Sequence, residues 1–400
     1  MAGSKSRTRK SVQVPHFNNL PDDLLIEILI RLPSSKQAIR CKLVCRRWFS
    51  QISSGKFVTA SVIHHRNKEK NLLPFTLLLH DRKNNYVEYI ECLHPKQRVV
   101  LGFLPGRPDQ ICIVASCDDL ILCSDGSNYF ICNILTRQGI VLPPNCPLKL
   151  GIGFLIEPDC VDNARYQVLQ YFYNDNSGIY GEIFSSEQGR WTSFVVTSPR
   201  TLNYLGRITS LIACGRMLYG LNYKSNVRAD FVLAFDPFTN DPAQILHIID
   251  LPLEARDIHG LLCSKLGVCQ GRLLFAQVID QPSRYPCISV WELDDYTTGK
   301  WTLVHKRIPT IKASRVPKLR HDTKHLVSVL AFHPYNEDLV CLRVGNYHVV
   351  MYNIRTDKVE SSTHTLKLPG LPQVIGTNND GLLMLPITQK WWPTPVRKSL

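Results

Sequence analysis

The residues that could do chemistry in this chain are scattered, and their spacing decides what is open to them. His321 and His325 stand four apart, which on a helix would place both imidazoles on one face. No Glu follows the first of them and no third ligand is in register, so the pattern of a helical zinc site is incomplete. Cys41 and Cys45 share that four-residue spacing on an expected helix, while Cys112, Cys117 and Cys123 lie in or beside strand-like runs. No CxxC pair occurs among the fourteen cysteines, and they read as reduced core thiols. Asp118-Asp119 and Asp294-Asp295 fall in turn contexts, where Asp satisfies backbone N–H groups. Gly151-Ile152-Gly153 is a glycine pair beside a strand, suited to close packing or a bulge. There is no nucleophile elbow, P-loop or dinucleotide fingerprint. No catalytic residue, metal site or cofactor is expected.

What remains is the chemistry of association, concentrated between Asn18 and Phe57. Pro21 suits an opening helical turn, and Asp22 and Asp23 come next, where the helix dipole favours negative charge. Leu24, Leu25, Ile28, Leu29 and Leu32 recur at three- and four-residue steps, one broad apolar stripe, and Pro33 ends the helix. Ser34 or Ser35 can cap a second helix. Ile39, Leu43, Val44, Phe49 and Ile52 carry that second helical pattern, with Cys45 and Trp48 beside it and Arg40, Lys42, Arg46 and Arg47 between. Two or three short helices over some 40 residues are too small to hide that apolar surface alone. From periodicity, the stripe either docks on the protein's own core or awaits a partner.

Leu20-Pro21-x-Asp23-Leu24-Leu25-x-Glu27-Ile28-Leu29-x-Arg31-Leu32-Pro33, followed by Val44-Cys45-Arg46-x-Trp48, resembles the F-box. Ser34–Ala38 is a residue longer than that motif's usual spacing. The resemblance implies docking on the Skp-type adaptor of a cullin-RING ubiquitin ligase, with Leu20, Pro21, Leu24, Ile28, Leu32, Pro33, Val44, Cys45 and Trp48 as the adaptor-facing positions.

The elements around this stretch are legible in composition. The chain has 400 residues, 44% hydrophobic and 20% charged, which suits a globular protein of one large and one small domain. No apolar run approaches membrane-spanning length, and the basic, polar N-terminus lacks a signal-peptide core, so an intracellular protein of nucleus or cytoplasm is expected. The net charge of +14 is local. Residues 1–16 form a basic tail, residues 17–60 hold seven basic and three acidic residues, residues 306–324 hold seven basic and one acidic, and residues 389–400 form a second basic tail. Residues 61–71 read as a linker, since the run from His64 to Lys70 offers nothing apolar to bury.

From Leu72 short apolar or alternating runs, rich in Val, Ile, Leu, Tyr and Phe, are separated by Gly, Pro, Asn and Asp, the texture of an all-β region. Gly215-Arg216-Met217-Leu218-Tyr219 recurs 56 residues on as Gly271-Arg272-Leu273-Leu274-Phe275. Gly189-Arg190-Trp191-Thr192 recurs after 110 residues as Gly299-Lys300-Trp301-Thr302, and Asn133-Ile134-Leu135-Thr136 after 220 as Asn353-Ile354-Arg355-Thr356. One period near 55 fits all three, the size of a four-stranded propeller blade. Residues 72–388 then hold about six blades, expected near 72–105, 111–147, 151–199, 208–253, 260–312 and 327–370, with Val374–Thr388 pairing with the first to close the ring. The Gly-x-Trp and Gly-Arg-x-Leu-Phe/Tyr elements resemble the kelch-like, F-box-associated propellers of plant F-box proteins, although no blade carries a clean double-glycine kelch signature.

The expected fold is therefore α+β and multidomain, a small helical F-box followed by a mainly-β propeller. The expected function is that of a non-catalytic substrate receptor in an SCF-type ubiquitin ligase, with an unidentified client protein on the propeller. Two rivals come from other classes. A propeller enzyme of galactose-oxidase type would need Tyr, His and Cys ligands converging on the channel, which the strand pattern does not offer. A nucleic-acid-binding propeller would use Lys306-Arg307, Lys312, Arg315, Lys318, Arg320 and Lys324, but the absence of interleaved aromatics argues against strand stacking. A solvated loop is the expected state of that insert.

Overall fold

The computed structural model describes residues 20–33, 35–68, 75–81, 86–90, 97–98, 101–105, 110–134, 136–145, 151–157, 165–174, 178–200, 202, 209–225, 228–239, 241–256, 259–281, 284–310, 327–345, 348–360, 364–365, 382–388, 394 and 396. The chain divides into two compact units, Met1–Asn71 and Leu72–Leu400.

The described residues of the first unit form four helices: α1 Asp22–Leu29, α2 Ser35–Cys41, α3 Arg46–Ile52 and α4 Gly55–Lys68. Pro21 is extended ahead of α1, whose first turn carries Asp22 and Asp23. The second apolar pattern, read across Ile39–Ile52, is two helices and not one. The chain turns over Lys42–Val44, and Cys45 is extended before α3. Cys41 and Cys45 thus stand on either side of a break and share no helix face. The segment expected as a linker is helical to Lys68. Ser54 Oγ accepts the N–H of Phe57 at 3.2 Å, a side-chain cap that starts α4. Phe57 and Ser61, four apart, are buried, and the charged run that follows from Arg66 to Lys70 carries no apolar periodicity to mark the helix. Among the described residues, Leu25, Ile26, Leu29, Ile30, Ala38, Ile52 and Phe57 are the buried apolar ones of this unit.

The second unit is built from antiparallel sheets. Blade 1 is β4 Cys112–Cys117, β5 Leu120–Ser124, β6 Tyr129–Asn133 and β7 Gln138–Val141. Blade 2 is β8 Gly151–Ile156, β9 Tyr166–Asn174, β10 Gly178–Ser185 and β11 Arg190–Thr197, with β12 Thr209–Ser210 added in parallel on β8. Blade 3 is β13 Ile212–Cys214, β14 Met217–Tyr223, β15 Ala229–Phe235 and β16 Leu246–Asp250. Blade 4 is β17 Leu261–Cys269, β18 Arg272–Gln281, β19 Arg284–Asp295 and β20 Lys300–Pro309. Blade 5 is β21 Val327–Phe332, β22 Leu339–Val344, β23 His348–Asn353 and β24 Lys358–Val359, with β25 His364–Thr365 also on β23.

Five blades are thus cut from contiguous chain, where the period predicts about six. The stretch expected as a first blade, 72–105, supplies β1 Phe75–Asp81, β2 Tyr86–Ile90 and β3 Gln97–Arg98, and its innermost strand is β26 Leu382–Thr388 from the other end of the chain. β26 pairs antiparallel with β1 from Phe75↔Thr388 to Asp81↔Leu382. The innermost strands touch in a circle, β4 to β8, β8 to β13, β13 to β17, β17 to β21, β21 to β26 and β26 to β4, so this composite sheet closes the ring. Apolar clusters fill the gaps between neighbouring blades.

The repeated signatures do the same job wherever they occur. Gly189 and Gly299, both at φ +65°, allow the turns before β11 and β20. Trp191 Nε1 then donates to the carbonyl of Pro143, and Trp301 Nε1 to that of Asp250, each at 2.8 Å, tying an outer strand to the preceding blade. The Asn133 and Asn353 side chains accept the N–H groups of Thr136 and Thr356 at 3.2 and 2.9 Å. Two basic segments differ from expectation. Lys306 and Arg307 belong to β20, which pairs with β19 from Asp295 back to Cys287, and the rest of the insert from Lys312 falls outside the described residues. In the expected C-terminal tail Thr394 is buried and Val396 packs against the core between blades 1 and 2.

Candidate functional site

The apolar stripe of α1 is only partly covered by the described residues of its unit, and this creates the candidate site. Leu25 and Leu29 turn inward and are buried, whereas Leu24 is 52% and Ile28 is 41% exposed. One helical turn separates these two, so they form one outward apolar face. Val44 is 62% exposed. Pro21, Pro33 and Cys45 are exposed, and Leu20, Leu32 and Trp48 are half-buried.

Arg47 brings the two halves of this set together. Its Nε and Nη2 donate to Asp22 Oδ1 at 2.9 and 2.6 Å, and Nη2 also donates to the Leu20 carbonyl. The first turn of α3 is thereby fastened to the first turn of α1, which sets Val44 and Cys45 beside the Leu20–Pro21 end of the stripe. A planar guanidinium holding a carboxylate and a carbonyl fixes direction as well as distance. Lys56 Nζ donates to Asp23 Oδ1 at 2.7 Å. That hydrogen bond holds the Asp23 carboxyl below its usual range and the Lys56 amine above its own. Both groups are fully exposed, so the pair is screened by solvent. Glu27 and Arg31 form an i,i+4 pair on the outer surface of α1.

Sequence reasoning missed two members of this surface. Leu43, 88% exposed, and Phe49, also exposed, belong to the second helical pattern but were not among the expected adaptor-facing positions. The break between α2 and α3 turns them outward, and nothing in their periodicity marks that break. Lys42 lies over the Phe49 ring, 5.8 Å from its centroid, and burial pushes its pKa down. None of these groups has nucleophile–base geometry. The surface offers apolar contact framed by positive charge, which is docking chemistry.

On the propeller, Gly151 and Gly153 prove to be packing glycines. A Cβ on Gly151 would lie 2.0 Å from the Tyr171 ring, and one on Gly153 would lie 2.5 Å from Leu211 Cβ. Asp295 accepts the N–H of Thr297 at 2.8 Å in the β19–β20 turn. His321 and His325 fall outside the described residues. Among the described residues no three His, Cys, Asp or Glu side chains gather as a metal site would require, and no helix is long and apolar enough to cross a membrane.

A short helical unit with an outward apolar face, followed by a β-propeller, is the architecture of a propeller-bearing F-box protein. The chain belongs to the family described as F-box protein At3g26010-like, beta-propeller, which matches residues 97–369, and residues 17–58 match the F-box-like family. Among relatives, an F-box/kelch-repeat protein of Arabidopsis thaliana, At1g15680, is 24% identical over 307 residues, covering 72% of each chain. The Arabidopsis F-box protein At5g52610 is 25% identical over 296 residues, 71% of this chain and 77% of its own. A solved β-propeller domain, Cps50 (Swd1) of Myceliophteria thermophila, covers 80% of this chain and 98% of its own, at 12% identity and a TM-score of 0.36, too distant to carry an argument.

Proposed function

We propose that this protein is the substrate-receptor subunit of an SCF-type ubiquitin ligase, with no catalytic role of its own. Its helical unit docks on a Skp-type adaptor and through it on a cullin-RING core, in the nucleus or cytoplasm. The propeller holds a client protein, and ubiquitin transfer is carried out by other subunits. Holding client lysines near a charged conjugating enzyme raises their effective concentration. The observation that carries this reading is the outward apolar face of Leu24, Ile28 and Val44, within the residues that match the F-box-like family. An apolar patch kept in solvent by the fold marks a surface meant for a partner, and a few buried anchors carry most of an interface's energy.

The test is binding of the full-length chain to a purified Skp-type adaptor. Leu20→Ala with Pro21→Ala should weaken it at least about a hundredfold, roughly 3 kcal/mol, with the propeller's melting unchanged. Lys312→Ala with Arg315→Ala should leave it intact. Wild-type affinity in the first variant would defeat the proposal.

A further inference from the structure

Thr394 lies in a segment whose composition is that of a solvated tail, yet each of its polar groups is bonded. Its N–H donates to Asp119 Oδ2 at 2.6 Å, its hydroxyl donates to Asp119 Oδ1, and its carbonyl accepts from Asn133 Nδ2 at 3.1 Å. Asn133 Nδ2 also donates to Asp119 Oδ2 at 2.8 Å. Asp119, Asn133 and Thr394 are all buried. Two residues on, Val396 packs against the core shared by blades 1 and 2.

This contact sits beside the seam that closes the ring. Asp119 stands in the β4–β5 turn of blade 1, and β26 seats on the same blade. The Thr388 N–H donates to the Asp118 carbonyl at 3.1 Å, and Ser116 Oγ donates to the Pro386 carbonyl at 3.2 Å. β26 is the strand that closes the ring by pairing with β1, and its Thr388 lies opposite Phe75, the first residue of β1.

We propose that Thr394 and Val396 form a latch on blade 1, with Asp119 as its keeper, which holds the ring's closing seam shut. Chain ends open first by local fluctuation, and a ring closed by a terminal strand is exposed to that fraying. The latch opposes it. Releasing Thr394 removes two of the donors to a buried carboxylate, and hydrogen bonds lost by a buried charged group are costly. β26 is thus held along its length by β1 and past Thr388 by the contact of Thr394 with Asp119.

Amide hydrogen exchange of the full-length protein tests this. Thr394→Val keeps the backbone bonds and removes the hydroxyl, Asp119→Asn replaces an acceptor oxygen with a donor, and Thr394→Ser restores the hydroxyl. Exchange in β1 and β26 should rise at least about tenfold in the first two variants, with β14 and β18 unchanged, and the Ser variant should match wild type. Should either point variant fail to fold, a chain ended after Thr388 should give the same seam-local rise. Unchanged exchange in β1 and β26, or an equal rise in every blade, would overturn the latch.

Discussion

Leu24 and Leu25 are neighbours in sequence with opposite fates, and substitutions there separate docking from stability. Leu25→Ala removes a fully buried side chain and should destabilise the helical unit by about 2–5 kcal/mol. Leu24→Ala with Ile28→Ala removes side chains already in solvent, so thermal unfolding should hardly change while adaptor affinity falls at least about tenfold per residue. Equal effects of the two substitutions on melting would mean that the stripe is core on both sides. At the same scale, His333 carries a pH dependence. Its Nδ1 accepts the N–H of Tyr335 at 3.1 Å, and burial lowers its pKa from 6.5 to about 4. The unfolded chain therefore binds this proton first as pH falls, so stability present above about 6.5 is lost between 6.5 and 4. His333→Gln should flatten the fall in melting temperature over that window; an unchanged slope would assign it to other groups, among them His305, which burial also shifts down.

At the scale of elements, the two Gly-x-Trp signatures make equivalent bonds at different seams, which predicts equivalent costs. Trp191→Phe and Trp301→Phe each leave one carbonyl, of Pro143 or Asp250, without its indole donor. Each should lower stability by about 1–3 kcal/mol, and the two losses should add, since the sites lie on separate blades. Calorimetry of the single and double variants would expose any coupling. These signatures explain why the blades could be read from sequence: a tight turn needs Gly at positive φ, and an inter-blade tie needs one donor at one place. Other features had no such local mark. The break between α2 and α3 needs neither Pro nor Gly, so Leu43 and Phe49 kept their place in a helical pattern that the fold abandons. α4 buries Phe57 and Ser61 but continues into a run rich in charged residues, and so passed for linker. Thr394 meets Asp119 across 275 residues, a distance at which composition alone says nothing.

For the whole molecule, the two units suggest two separable activities, and the end of α4 says where to divide them. A cut after residue 60 would split that helix, whereas the compact units meet at Asn71 and Leu72. Residues 1–71 should bind the Skp-type adaptor alone, and residues 72–400 should not. The larger fragment should give a β-dominated far-ultraviolet spectrum, because its described elements are strands joined by turns and short 3-10 segments. Its ring also closes within itself, since β26 pairs with β1 and neither strand draws on the helical unit for a partner. The fragment should therefore melt cooperatively, near the temperature of the intact chain's propeller transition. Pull-downs with the two fragments decide the matter: adaptor retained by residues 72–400 would mean that the docking surface is not the face built on α1. A smaller fragment that is helical yet fails to bind would place part of that surface outside its limits, and the anchors at Leu24, Ile28 and Val44 would then be insufficient by themselves.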